Sequence, residues 1–242
     1  MTQVDTPSLF RYILYMASNR NMTFVNSYVY HVYNRGIDGR SVFTNAFEHN
    51  RFISLMDFYR HTDLPMRYSK YCDLPTPLRT EATENIEKLP CVVTIMAYCL
   101  MPNHFHLLLR QEKENGIMQF TGNISNGHAK YFNAKHKRKG PLFQNSFKAV
   151  WVETDEQCMH VSRYIHLNPV TSSIIPVNQL ESYQWSSYRT YVEDEKSFVE
   201  TQEVLGHFKT KQTYKQFCLN QIGYAKELHT CKYLTIEDGV QS

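Results

Sequence analysis

The sequence predicts an α+β fold in which helices cover a single antiparallel sheet. Two observations lead to this prediction. Segments rich in Val and Tyr, typical of strands, alternate with stretches that carry a helical apolar stripe. The chain has 242 residues, enough for one sizeable core or for one domain with an extension. It contains no internal repeat and no low-complexity tract.

The first part of the chain predicts a strand, a helix and a second strand. Residues 27–34 (SYVYHVYN) are dense in Val and Tyr, and the RGIDGR that follows at 35–40 has the glycines and aspartate of a turn. An apolar stripe predicts a helix over about 46–61. Four prolines and mixed charge predict a long loop or insertion over 62–90, before a strand at 91–101.

The next part of the chain repeats this order. Pro102 and Asn103 are typical turn residues, so residues 104–111 are predicted to return as a third strand. A helix over about 117–135 is followed by the basic glycine turn KHKRKGP and by a fourth strand at 143–152.

One more helix is predicted after the fourth strand. Thr154 and Gln157 have the spacing of a capping box, so a helix should begin there. It should end near Asn168, because Pro169 disfavours the helical conformation in the preceding residue. The first six elements are in the order of the split βαβ arrangement of a ferredoxin-like sheet, to which this helix is added.

Composition limits the class of protein without defining its function. The 26 basic and 23 acidic residues give a net charge of +3, which by itself predicts no nucleic-acid partner. The six cysteines form no CxxC pair, and no apolar run has the length of a membrane span. The N-terminus is a poor secretory signal. We therefore expect a cytoplasmic protein with reduced thiols and no membrane association.

His104 and His106 are the first candidate site residues. Alternate side chains of a strand share one face, so both imidazoles should point the same way and lie close enough to bind one divalent ion. Two ligands make an unstable site, and a third must come from elsewhere. Taken alone, the pattern also fits two histidines that are exposed or packed without a metal. We expect outward-facing imidazoles that contribute little to the core.

Tyr164 and Asn168 are the second pair of candidates. They are four residues apart on the last predicted helix and therefore on one face of it. Asn168 falls in the last turn, where its amide oxygen can act as a ligand, one turn beyond the tyrosine. For Tyr164 alone, a core tyrosine on an amphipathic helix is the alternative.

A basic segment precedes this helix. From Asn115 to Val152 there is no Asp or Glu. A basic run is often only a solvated face, but with interleaved aromatics it also fits a groove that follows phosphates and stacks bases. The candidates for phosphate contacts are Arg35, Lys135, Lys137, Arg138, Lys139 and Arg163.

The motifs MPNHFHLLL, GPLFQ and RYIHLNPV, in this order, resemble the single-tyrosine HUH endonucleases, and among them the REP-associated tyrosine transposases. YHVYNRG in front and YQWSSY behind resemble flanking segments of that group. The resemblance runs from about residue 27 to about 190 and implies a catalytic domain over 27–170. A tail over 1–26 and a helical C-terminal extension over 171–242 complete the predicted organisation. The chain departs from the family in the length of the insertion at 62–90.

The resemblance implies a metal-dependent enzyme that cleaves and rejoins single-stranded, hairpin-bearing DNA through a 5′-phosphotyrosine. It implies that His104, His106 and Asn168 hold Mg²⁺ or Mn²⁺ and that Tyr164 is the nucleophile. The enzyme could be a monomer or a homodimer. No general base is evident; His160 is a candidate and His166 a weaker one, although a surface or supporting role is the commoner one for such histidines.

Two other functions remain compatible with the sequence. One is a ferredoxin-like module that binds nucleic-acid hairpins without cutting them. The other is a metal-dependent hydrolase that uses water, with Tyr164 as a structural residue. A covalent DNA adduct that depends on Tyr164 distinguishes the strand transferase from both.

Overall fold

The computed structural model describes residues 23–144, 146–220 and 222. Its four strands form one antiparallel sheet in the spatial order β2-β3-β1-β4. This is the strand order of a ferredoxin-like sheet, and the predicted α+β fold class is confirmed. The strands are β1 (Val29–Arg35), β2 (Val93–Met101), β3 (His104–Gln111) and β4 (Lys148–Val152).

The helices follow the predicted order. The part of the predicted tail at residues 1–22 lies outside the described residues, as do residue 221 and residues 223–242 of the extension. Short 3₁₀ turns occur at Ile37–Gly39 and Val177–Gln179. The helices are α1 (Ala46–Tyr59), α2 (Tyr68–Cys72), α3 (Thr76–Ile86), α4 (Gly116–Lys135), α5 (Asp155–Thr171), α6 (Tyr188–Val192), α7 (Gln202–Leu205) and α8 (Lys211–Leu219).

Helices α1 and α4 cover one face of the sheet. They pack against each other, and Phe52 of α1 lies against Phe105 of β3 with ring centroids 5.2 Å apart. Helix α1 begins where its sequence predicts, because the Asn45 side chain accepts a hydrogen bond from the Glu48 backbone N–H. Helix α5 packs on β2 and β3. It lies on the opposite face, because its Tyr164 contacts His106, the neighbour of Phe105 along β3.

The prediction of a long loop over residues 62–90 was wrong in part, because α2 and α3 form there. Pro75 is the N-cap of α3 and Pro77 lies in its first turn. A proline at this position loses no helical hydrogen bond, and its fixed φ angle suits a helix start. These two prolines therefore begin a helix rather than prevent one.

The predicted end of α5 was also wrong, by about one turn. The helix continues through Pro169 to Thr171. Leu167 and Val170 are each 1% exposed, so burial holds the last turn in place. The Thr171 hydroxyl adds a hydrogen bond to the Leu167 carbonyl at 3.2 Å. Packing here outweighs the hydrogen bond that Pro169 cannot donate.

The C-terminal segment, which we define as residues 183–219, packs along the outer edge of β2. Backbone hydrogen bonds join Leu100 N to the Trp185 carbonyl at 2.8 Å and Ser187 N to the Tyr98 carbonyl at 3.0 Å. A third joins Glu200 N to the Ile95 carbonyl at 2.9 Å. The edge of β2 is therefore covered by backbone from the same chain.

Two further expectations concern thiols and membranes. Cys72, Cys91, Cys99, Cys158 and Cys218 form no disulfide in the part of the chain that the structure describes. Among the described helices, none is long and apolar enough to cross a bilayer.

Candidate active site

The pairing of β1 with β3 assembles one end of the site. Tyr33 lies opposite His106, and Arg35 lies opposite His104, so these side chains share the face under α5. The His104 and His106 ring centroids are 5.0 Å apart with an interplanar angle of 89°. Both rings are thus near enough to reach one ion.

The two histidines differ in exposure. His104 is half-buried, whereas His106 is only 3% exposed beneath α5. The expectation of outward-facing imidazoles was therefore wrong for His106. The reason is that α5 packs across β2 and β3 and covers the middle of the sheet. A substitution of His106 therefore also affects packing.

Helix α5 brings Tyr164 to this pair. The helix is fixed at its start by Thr154, whose side chain accepts a hydrogen bond from Gln157 N at 3.2 Å. Six residues beyond the buried Cys158, the Tyr164 ring lies 5.5 Å from the His106 ring in an edge-to-face contact. Tyr164 is half-buried. The tyrosine and both histidines therefore belong to one site within one chain.

Asn168 lies one turn further along α5 and is 1% exposed. Its Nδ2 donates to the Tyr164 carbonyl at 3.2 Å. Since that carbonyl can only accept, the amide nitrogen must face it, and the amide oxygen is the atom of this side chain that can act as a ligand.

Hydrogen bonds orient both imidazoles. His104 Nδ1 donates to Asn103 Oδ1 at 2.6 Å, which puts the lone pair of the neutral ring on Nε2. His106 Nδ1 lies 2.9 Å from His31 Nε2. Sequence analysis missed His31. The signal was its position two residues before Tyr33 in a predicted strand, but without the register its partner could not be identified.

The nitrogen and oxygen donors of His104, His106 and Asn168 are chemically suited to a divalent cation. Among the described residues, no cluster of three His, Cys, Asp or Glu side chains could hold a metal. The set predicted from the sequence consists of two imidazoles and one amide, and each imidazole has a partner for its Nδ1, as is usual for metal-binding histidines.

A second phenol lies beside His106. The ring centroids of Tyr33 and His106 are 5.6 Å apart. Burial raises the pKa of Tyr33 above its ordinary value, and the neighbouring Tyr164 raises it further. Because Tyr33 also places a phenol beside His106, it is the comparison residue for Tyr164.

The predicted DNA-contacting residues fall into two groups. Arg35 lies beside His104, and its Nε is buried without a hydrogen-bond partner among the described residues. Arg163 is 5% exposed, stacks on Phe217 at 4.2 Å and contacts His160 Nδ1 at 2.6 Å. Its predicted contact with DNA is not supported by this burial, which results from packing of α8.

The basic loop, which we define as residues 135–139, is anchored at its start. Lys135 and His136 both contact the buried carboxylate of Glu48, at 3.5 Å and 2.7 Å. Burial opposes ionisation of Glu48, but hydrogen bonds from His136 and Thr44 outweigh it and lower its pKa to about 2. The carboxylate therefore stays charged and holds the loop.

The other loop residues differ in what they can offer. Arg138 donates to Asn133 Oδ1 at 2.7 Å and to the Pro141 carbonyl at 3.2 Å, so it closes the loop. Lys137 and Lys139 are exposed. Within the basic loop, Lys137 and Lys139 are therefore the residues whose charge is available to solvent.

The structure gives both candidate bases other roles. His160 packs against Phe217 and pairs with Arg163. His166 is 0% exposed, with Nδ1 2.7 Å from the Tyr214 hydroxyl and Nε2 2.8 Å from Ser187 Oγ. Burial lowers the pKa of His166 to about 3. The suggestion that His166 acts as a base was therefore wrong: it joins α5 to the C-terminal segment.

Comparisons with known proteins agree with the motifs. Residues 79–168 match the family model described as "Transposase IS200 like". The matched segment contains all four candidate catalytic and metal-binding residues, and it confirms the resemblance to transposases over that range. The match to this family model supports transposase-like processing of DNA.

The solved structures that are similar to this chain include a REP-associated tyrosine transposase bound to a REP hairpin. It is 13% identical in sequence, with a TM-score of 0.47, and the similarity covers 77% of this chain and 93% of that one. No curated protein matches this chain.

Proposed function

We propose that this protein is a DNA strand transferase that uses Tyr164 as a nucleophile and a divalent cation as a cofactor. The observation that carries the proposal is the 5.5 Å contact between the Tyr164 and His106 rings in one chain. The family match over residues 79–168 supports the reaction class.

The proposed reaction has two balanced steps. The Tyr164 oxygen attacks a backbone phosphorus, its phenolic proton leaves to solvent, the bond to the 3′-oxygen breaks, and that oxygen takes a proton from solvent. The products are a 5′-phosphotyrosine and a free 3′-hydroxyl, a polarity that follows from the family resemblance. A 3′-hydroxyl then attacks the phosphotyrosine, which restores the phosphodiester and the phenol. Because the ester keeps the bond energy, rejoining requires no ATP.

His104, His106 and Asn168 would hold the cation, Mg²⁺ or Mn²⁺. When bound, it supplies Lewis-acid polarisation of the scissile phosphate. Two neutral imidazoles and an amide leave its positive charge intact, which favours an anionic substrate. Asn103 orients the first imidazole through the hydrogen bond at Nδ1.

The proposed substrate is single-stranded DNA with a hairpin. A covalent attack needs a backbone that can be splayed against the half-buried Tyr164, and the hairpin follows from the family resemblance. Arg35 is our cationic candidate for the scissile phosphate, because it lies opposite His104 in the sheet and its Nε lacks a protein partner among the described residues. Lys137 and Lys139 would contact phosphates further away.

The test is a covalent-adduct assay. The protein is incubated with a labelled single-stranded hairpin oligonucleotide and Mn²⁺ and then denatured in SDS. We expect an adduct with the wild type, none with Tyr164→Phe, and none without Mn²⁺. Tyr33→Phe is the matched control, because it removes the other hydroxyl beside His106 and should keep the adduct.

The alternatives give different results. If the adduct persists in Tyr164→Phe but is lost in Tyr33→Phe, the nucleophile is Tyr33 and not Tyr164. Cleavage without any adduct indicates a hydrolase that uses water. Binding without cleavage by a folded wild-type protein indicates a hairpin-binding module, and each of these outcomes overturns the proposal.

A further inference from the structure

His31 lies behind the histidine pair, and none of the motifs points to it. It is 0% exposed in β1, opposite Leu108 of β3 and Val150 of β4. Its ring stacks on His106 with centroids 5.1 Å apart and a 28° interplanar angle. It also meets the Tyr164 ring edge-to-face at 5.8 Å. One buried side chain thus contacts both a candidate ligand and the candidate nucleophile.

The contact between the two rings constrains their protons. His31 Nε2 and His106 Nδ1 are 2.9 Å apart, so one of these nitrogens donates and the other accepts. If His106 Nδ1 donates, the neutral His106 ring has its lone pair on Nε2. If His31 Nε2 donates instead, His106 Nε2 carries the proton and cannot ligate a cation. Only the first arrangement is compatible with metal binding.

The neighbouring ligand has a simpler partner. Asn103 Oδ1 can only accept, so it fixes His104 in one tautomer. An imidazole can accept or donate, so the tautomer of His106 depends on that of His31. The two candidate ligands are therefore controlled by partners of different chemistry.

We propose that His31 is a positioning residue that accepts the His106 Nδ1 proton and so directs the His106 Nε2 lone pair to the divalent cation. This inference rests on the proposed function. His31 itself has its proton on Nδ1 in this arrangement. It acts through His106 and through its contact with the Tyr164 ring.

The first experiment measures Mn²⁺ affinity by titration calorimetry, without DNA. His31→Leu removes the acceptor while keeping an apolar side chain, and we expect Mn²⁺ binding to weaken about 10- to 100-fold. His31→Gln offers an amide oxygen near the position of Nε2 and should restore most of the affinity. Val150→Ala is the packing control, since it opens space opposite His31 without removing an acceptor.

The outcomes separate this inference from the proposed function. A folded His31→Leu that binds Mn²⁺ as the wild type does overturns the role of His31 alone. The same follows if Val150→Ala weakens binding as much as His31→Leu, because packing then explains the effect. A wild type that binds no Mn²⁺ overturns the metal site of the proposed function itself.

A second measurement needs no variant and covers the case in which His31→Leu does not fold. Two-bond ¹H–¹⁵N correlation spectra of the wild type with Mg²⁺ report which ring nitrogen carries the proton. We expect His106 to be protonated at Nδ1 and His31 to be unprotonated at Nε2. A proton on His31 Nε2 in the Mg²⁺-bound protein overturns the inference.

Discussion

Phe105 and His106 are consecutive residues of β3, and both are buried, but they face opposite sides of the sheet. Among the described residues, the Phe105 ring lies against the apolar rings of Phe52 at 5.2 Å and Phe143 at 5.7 Å. His106 is surrounded by polar rings, including His31 at 5.1 Å and Tyr164 at 5.5 Å.

The difference shows that burial has two uses in this sheet. The face under α1 and α4, which we call the apolar face, stabilises the fold because its apolar side chains are removed from water. The face under α5, which we call the polar face, buries polar groups. Their burial costs free energy unless each has a hydrogen-bond partner. Its geometry is therefore specified by contacts such as that between His31 and His106. We expect damage to the first face to lower stability and damage to the second to lower function.

The largest expected effect is on the apolar face. Phe105→Ala removes a ring that is 0% exposed, and the free energy of unfolding should fall by about 3–5 kcal/mol. Chemical denaturation monitored by circular dichroism measures this change. The counterpart His104→Ala removes a half-buried candidate ligand and should abolish the DNA adduct with much less destabilisation.

One result would contradict this difference in stability between the two faces. If His104→Ala destabilises the protein as much as Phe105→Ala does, then the polar face is also a structural core, and loss of adduct would not report on metal binding.

A second prediction concerns the acid stability of the contact between α5 and the C-terminal segment. Burial lowers the pKa of His166 to about 3, so between its ordinary value and about pH 3 the unfolded chain binds a proton that the folded chain does not. The stability that neutral His166 contributes is therefore complete above about pH 6.5 and decreases by up to about 1.4 kcal/mol for each pH unit below it. The unfolding free energy of His166→Gln should fall less steeply over this range.

Denaturation of both proteins at intervals from pH 8 to pH 4 measures the difference. His166→Gln should be the less stable protein at pH 8, because Gln fits less well between Tyr214 and Ser187. The two curves should then converge as the pH falls. Parallel curves would mean that His166 is not held neutral.

The smallest expected effect is at the basic loop, outside both faces. If Lys137 and Lys139 each contact a phosphate, changing each to Ala should lower the slope of log affinity against log salt by about 0.7 for single-stranded DNA. Lys209→Ala is the control, since it also removes an exposed lysine but from the C-terminal segment. Equal slopes in all variants would exclude the loop from the interface.

Local patterns in the sequence were sufficient to predict much of this fold. The Pro102–Asn103 turn predicted that residues 104–111 return as a strand, and β3 has these bounds. Helix α4 was predicted to within one residue at its start. Tyr164 and the histidine pair were predicted to meet, and their rings do lie together. These features depend on neighbouring residues or on strong motifs.

Features that depend on distant packing were not predictable in this way. Arg163 and His166 look like exposed helix residues until α8 and Ser187 cover them. The continuation of α5 past Pro169 depends on burial of the last turn. His31 requires the register of β1 on β3, which no local pattern specifies.

The covered outer edge of β2 has a consequence for how copies of this protein can meet. Sheets commonly grow across molecules by adding a strand to an open rim, but here Trp185, Ser187 and Glu200 already occupy that rim. Growth on this side would first require the C-terminal segment to leave β2, which would also break the contacts of His166 on α5 with Tyr214 and Ser187. We therefore expect self-association at this rim to disturb the position of α5 and of its Tyr164.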